Sequence, residues 1–322
     1  MVKNMVYWVK RTKKGVKAMP TQTRKPLRAE IILLIIAAAC AALLITVLVL
    51  SMPYIREEMQ SRPSASNPLN EDPEDIIHGQ RPPVDPTMSS DPLESTLPPP
   101  EPNPYDRLDF QYDGKFLKTI YDDCRVGIDV SSHQGQIDWE KVAQTDVEIV
   151  MVRAGYRGYG QAGKLVEDTN AKTNIAGAAE AGLDVGVYFF SQAVNVEEAA
   201  EEARMLLDII KELPVTMPVV YDWEYISAEA RTANVDPRTL TDCALTFCGM
   251  IEEAGYTPMV YFNIYQSQHM MYIAELKQYD FWLAWYSDRM IFPYKLRMWQ
   301  YTDTGRVPGI DANVDLNVYF PD

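Results

Sequence analysis

Asp222 and Glu224 close an apolar run, Val219-Val220-Tyr221-Asp222-Trp223-Glu224, and stand one residue apart. If the run is a strand, its period of two turns both carboxyls to one face, with Cα atoms roughly 6 to 7 Å apart. That spacing suits chemistry in which one carboxyl keeps a proton while the other stays ionised. Solvated loop acids show the same spacing in many proteins. The reading therefore depends on the elements that hold the pair and on what else they bring to it.

Eight short apolar runs, rich in β-branched and aromatic residues, read as strands: 126–130, 147–152, 185–190, 217–221, 259–262, 281–285, 297–301 and 313–318. Amphipathic runs read as helices over 137–144 and 169–181, from Asn195 to Ile210, and over 239–254, where Gly255 stops the last. In the third helix Asn195 is placed to cap, Glu198 to reciprocate, and Ala199, Ala203, Leu206 and Ile210 to form one stripe. Strand and helix in alternation predict an α/β fold with a parallel sheet covered by helices, and eight strands would close it into a barrel. Later connections such as 287–296 are too short for a crossover helix, so the barrel should be irregular in its second half.

Barrel enzymes work at the C-terminal mouths of their strands. Asp129, Arg153, Asp222, Glu224, Asn263 and Gln300 fall there, with Tyr188, Tyr261, Trp285 and Tyr286 nearby. Acids converging with aromatics describe a sugar site, because Trp and Tyr faces stack on pyranose rings. The chain has no GxxxxGKS/T to suggest a nucleotide. It has no CxxC or HExxH and only His78, His133 and His269, so neither a metal nor another cofactor is expected.

Residues 31–50 are apolar without a charge, the length a helix needs to cross a bilayer. Nine basic residues precede them against the single acid Glu30, a local balance of +8 that predicts a cytoplasmic N-terminus. Small residues Ala37 to Ala42 also fit a signal-peptide cleavage site, but eight further apolar residues follow and favour an uncleaved anchor. Residues 51–105 hold 13 of the 22 prolines and read as a disordered spacer, with the folded domain over 106–322. Against the whole chain's −15, the +8 tail leaves −23 beyond the membrane, which excludes nucleic acid as a partner. Cys124, Cys243 and Cys248 are too few for a disulfide scaffold and read as small packing residues, with Cys40 buried in the span.

From Gly127 to Phe320 the chain resembles the glycoside hydrolase family 25 lysozymes, the Chalaropsis-type muramidases. Gly127-Ile128-Asp129-Val130-Ser131-Ser132-His133-Gln134-Gly135 resembles their opening strand, and Ile137-Asp138-Trp139 continues it. Val152-Arg153-Ala154-Gly155-Tyr156 and Gly186-Val187-Tyr188-Phe189-Phe190 resemble the next two strands. The family's Asp-x-Glu falls on Asp222-Trp223-Glu224, and its late aspartate on Asp315. The resemblance implies an irregular TIM-like barrel of five β/α units plus three further strands. It also implies a bacterial enzyme acting on peptidoglycan glycan strands, which the apolar span 31–50 would anchor in the membrane by a single pass, with the exported domain expected to be monomeric. Two departures stand out: a longer polar segment, Ser227 to Arg238, and Phe189, where many relatives carry histidine.

On this resemblance Glu224 is the acid, since apolar and aromatic neighbours favour a protonated carboxyl, and Asp222 its ionised partner. Asp129 and Asp315 line the sugar site, unless they merely order a turn and a closing loop. Tyr188 and Tyr261 position the N-acetyl group, Trp285 stacks on sugar, and Arg153 either touches substrate or orders the acids by ion pairing. Trp223 alternates away from the pair and is expected under a helix. The bond implied is the β-1,4 link from N-acetylmuramic acid to N-acetylglucosamine, attacked either by the substrate's own acetamido oxygen or directly by water. A glycan-binding protein without turnover, and a hydrolase of another N-acetylated glycan, are the competing readings.

Overall fold

The computed structural model describes residues 93–106 and 109–320. The basic tail, the apolar span 31–50 and the spacer as far as residue 92 lie outside the described residues. Among the described residues no helix is long and apolar enough to cross a membrane.

A hairpin of β1 (Phe110–Tyr112) and β2 (Leu117–Thr119) precedes the main sheet. The sheet then takes β3 (Arg125–Val130), β4 (Val147–Arg157), β5 (Leu165–Glu167), β6 (Asp184–Ser191), β7 (Val219–Trp223), β8 (Pro258–Asn263), β9 (Asp280–Ala284), β10 (Met298–Gly305) and β11 (Val314–Tyr319). Strands β3, β4, β6, β7, β8, β9 and β10 run parallel in that order. β11 lies antiparallel between β10 and β3, and this pairing closes an eight-strand barrel. β5 pairs antiparallel to the projecting end of β4.

Few helices cover the barrel: α1 (Trp139–Val142), α2 (Ala171–Glu180), α3 (Val196–Ile210), α4 (Pro237–Glu253) and α5 (Ile264–His269). The connection from β9 to β10 contains none, as its length predicts. α3 starts where Asn195 accepts from the Glu198 N–H at 2.9 Å, and its predicted stripe is fully buried. Glu198 does not complete the expected reciprocal cap. Its carboxylate accepts from Val194 N and from Arg231 instead. α4 begins two residues before its predicted start because Asp236 caps it and Pro237 supplies a preset first turn.

Alternation along the strands divides the core in two. Ile149, Met151, Val220, Met259 and Met298 fill the barrel with Tyr188, Tyr261 and Trp282. Val150, Val152, Val185, Val187, Leu206 and Phe247 pack between sheet and helices. Gly155 shows why the second-strand motif needs glycine there: a Cβ would meet Val166 O at 2.7 Å and the Phe189 ring at 3.0 Å. Phe189 itself is fully buried in the outer layer, so it does not change the polarity of the mouth; Tyr188 is the β6 residue turned inward.

The spacer needs correction at its end. Residues 93–106 lie against the domain rather than free of it. Leu93 N donates to Gln268 O at 2.7 Å, Asn103 N to Pro293 O at 2.9 Å, and Lys295 N to Glu101 O at 2.7 Å. Tyr105 then stacks on Phe320 with centroids 4.2 Å apart. Proline-rich chain can be held this way because the helix-free β9–β10 connection offers unpaired backbone groups.

Candidate active site

The barrel closure builds the first half of the site. Asp129, near the end of β3, is the register partner of Asp315 on β11, so both carboxyls share one face. Asp129 Oδ2 accepts from Asn317 Nδ2 at 2.7 Å and from Gln300 Nε2 at 3.0 Å. Asn317 Oδ1 accepts from Trp282 Nε1 at 2.9 Å, while Gln300 Oε1 accepts from the Tyr261 hydroxyl at 3.0 Å and the Tyr286 hydroxyl at 3.1 Å. An indole N–H can only donate. It fixes the Asn317 amide, which fixes Asp129 as acceptor, and the polarity carries on through Gln300 to both tyrosines.

The second half comes from β7. Its strand runs two residues further than the sequence suggests, so Asp222 lies inside it, in register with Phe190 and Tyr261, and Glu224 follows its end. Asp222 is 4 % exposed and Glu224 6 %. The two tyrosine hydroxyls report how the acids converge. Burial first, then the charges of Glu224, Asp222 and Asp129, holds the Tyr261 hydroxyl well above its ordinary value. Burial, then Asp315, Glu224 and Asp129, does the same at Tyr286. Glu224 and Asp129 raise both hydroxyls, Asp222 that of Tyr261 and Asp315 that of Tyr286.

Other predicted residues divide. Tyr188 is inside the barrel, edge-on to Trp282 with centroids 6.1 Å apart. Arg153 is fully buried and ion-paired at 2.8 Å to Asp168, a carboxylate outside the four predicted acids, and it offers no surface to a substrate. Trp285 packs with the outer core and donates to Arg289 O at 3.1 Å, so it does not face the acids. Tyr286 takes that place, 38 % exposed as a residue while its hydroxyl bonds Gln300. Asn263 caps α5, and Trp223 is fully buried in the outer layer as its alternation predicts. Sequence reasoning missed Trp282, Asn317 and Asp168. Only the inward parity of Trp282 on β9 could have marked one of them.

The model of the Glycosyl hydrolases family 25 matches residues 128–310, more than half of the chain. The chain belongs to that family. Similar proteins place the match in context. The uncharacterized protein YegX of Escherichia coli K12 is 28 % identical over 201 residues, 60 % of this chain and 68 % of its own. The autolytic lysozyme of Clostridium acetobutylicum is 26 % identical over 197 residues, 60 % of this chain and 55 % of its own. The modular autolysin LytC of Streptococcus pneumoniae superposes with a TM-score of 0.56 at 28 % identity, over 66 % of this chain and 52 % of that one. A second LytC structure, with a synthetic peptidoglycan ligand, gives 0.55 at 27 % over the same shares. The family 25 chain therefore spans about half the length of LytC.

Proposed function

We propose that this chain is a muramidase, hydrolysing the β-1,4 bond from N-acetylmuramic acid to N-acetylglucosamine in peptidoglycan during wall remodelling or turnover. The observation that carries the reading is that Asp129 and Asp315 are register partners at the barrel closure, while Gln300 bridges Asp129 to the hydroxyl of Tyr261, the register partner of Asp222. Similarity to LytC, crystallised with a synthetic peptidoglycan ligand, supports the substrate class.

In this reading Glu224 gives its proton to the leaving oxygen as the glycosidic C–O bond breaks. The acetamido oxygen closes on the anomeric carbon, and ionised Asp222 stabilises the positive charge that develops. Water then opens this ring at the anomeric carbon and returns a proton to Glu224. Asp129 and Asp315 line the groove, with Tyr188, Tyr261 and Tyr286 along it. The barrel is read as the five β/α units of β3, β4, β6, β7 and β8 plus the three strands β9 to β11. The apolar span 31–50 supports a catalytic domain held outside the cell by a single-pass anchor, with the wall within reach, and we read that domain as a monomer.

The test incubates the full chain with purified cell walls and identifies new reducing ends by mass spectrometry, with Glu224→Gln beside it. Muramic acid ends that the variant fails to produce are expected. Glucosamine ends would reassign the bond, and binding without cleavage by the unaltered chain would defeat the reading.

A further inference from the structure

The acid of the proposed reaction stands where the sheet no longer holds it. β7 ends at Trp223, so the Glu224 backbone lies beyond the last strand residue. Its carbonyl nevertheless has a partner of unusual origin: Gln192 Nε2, from the residue after β6, donates to Glu224 O at 2.8 Å and to Ser191 O at 2.9 Å. On the opposite side Gln266 Nε2, from α5, donates to Trp223 O at 2.6 Å. Two glutamine amides thus hold the two successive carbonyls that set where the Glu224 side chain leaves the backbone.

Gln192 is fully buried and is itself held. Its Oε1 accepts from the Thr232 hydroxyl at 2.7 Å, and its backbone carbonyl accepts from Arg231 NH1 at 2.7 Å. Arg231 also forks onto Glu198, both oxygens at 2.7 Å, and its own N–H donates to Tyr159 O at 2.9 Å. Thr232 and Arg231 belong to the long polar segment 227–238 that follows the carboxylate strand. The carbonyls of Glu224 and Ser191 can only accept, so they turn the Gln192 amide nitrogen toward Glu224, and the Thr232 hydroxyl donates to the amide oxygen left on the other side. The segment therefore backs the acid rather than only edging the groove.

We propose that Gln192, oriented by Thr232, is a positioning residue for Glu224: it locks the backbone at the end of β7 so that the carboxyl meets the leaving oxygen. The proposal rests on Glu224 being the acid. Displacing a catalytic group by about 1 Å can cost on the order of 100-fold in rate, so the lost bond should be read in turnover. Substrate binding, which Gln192 does not reach in this arrangement, should change little.

The experiment measures kcat and KM of the full chain on soluble peptidoglycan fragments, with melting curves for each variant. Gln192→Met keeps the volume and removes the donor; kcat should fall roughly 10- to 100-fold while KM stays within about twofold. Thr232 supplies a pair that separates hydrogen bonding from packing. Thr232→Val keeps the shape without the hydroxyl and should lose several-fold in kcat, whereas Thr232→Ser keeps the hydroxyl and should stay near the unaltered rate. A kcat for Gln192→Met within twofold of the unaltered chain, a KM rising in step, or Thr232→Ser falling below Thr232→Val overturns the proposal. If Gln192→Met fails to fold, the Thr232 pair decides. An unaltered chain with no activity would instead refute the muramidase reading itself.

Discussion

Asp168→Ala is the sharpest test of how the barrel is held behind its site. The Asp168 and Arg153 side chains both lack exposed surface. Asp168 Oδ2 accepts from Arg153 Nε at 2.9 Å and from Ser132 N at 3.0 Å, and Oδ1 accepts from Asn170 N at 2.8 Å. Removing the carboxylate leaves a buried guanidinium without its counter-charge, which costs about 3 to 5 kcal/mol. Against a total stability of about 5 to 15 kcal/mol that is a large share. At roughly 2 to 4 °C per kcal/mol for a body of this size, melting should fall by about 6 to 20 °C. Replacing both partners, Arg153→Met with Asp168→Leu, removes the charge and its counter-charge together and should melt closer to the unaltered protein than Asp168→Ala does. Thermal and urea unfolding of the three proteins give the comparison. A loss below about 1 kcal/mol for Asp168→Ala, or a double variant no more stable than the single, would refute the argument. If Arg153 bound glycan instead, Asp168→Ala would show itself in KM with little change in stability.

Gln300→Leu removes the bridge from Asp129 to Tyr261 and Tyr286, and initial rates on cell walls should drop about 10- to 100-fold; unchanged rates would detach that bridge from the chemistry. Burial outweighs the Arg157 guanidinium and pushes the Glu202 carboxyl up to about 7, from an ordinary 4.5. The folded state then binds more protons than the unfolded between those values, so this group's contribution is full below the ordinary value and lost as pH rises through about 7. Glu202→Gln should flatten that part of the melting profile between pH 4 and 8, and a slope identical to the unaltered protein's would count against it. A chain beginning at Leu93 should be more stable than one beginning at Asp109 by roughly 2 to 4 kcal/mol, from the Tyr105 stack and the backbone bonds of residues 93–106. Equal unfolding midpoints would show that the segment only rests on the surface.

Much of the barrel was legible because its strands are buried on both faces, and such strands read as near-continuous apolar runs. All eight were found with ends displaced by a few residues, as at β7, where pairing with β6 and β8 rather than composition decides the limit. α5 was not read, being six residues with little apolar patterning. Residues 93–105 were read as free chain because their composition is that of a spacer. What holds them is mostly backbone, and backbone groups carry no signature in sequence.

The site shows where local reading stops. Asp222 and Glu224 are neighbours in sequence, so their spacing alone marks them out, although the strand itself holds only Asp222. Choosing Trp285 over Tyr286 required the phase of β9, and one residue of phase exchanges the inner for the outer face. Trp282 is inside, so Trp285 falls outside and Tyr286 returns to the acids. The partners of Asp129 are further off still: Gln300 and Asn317 lie 171 and 188 residues along the chain. They reach it because β11 reverses direction and pairs with β3, bringing Asn317 two positions from Asp315 onto the same face. An antiparallel eighth strand is therefore more than a closing element: it delivers the amide that holds Asp129, and a parallel strand of the same sequence would present a different register there.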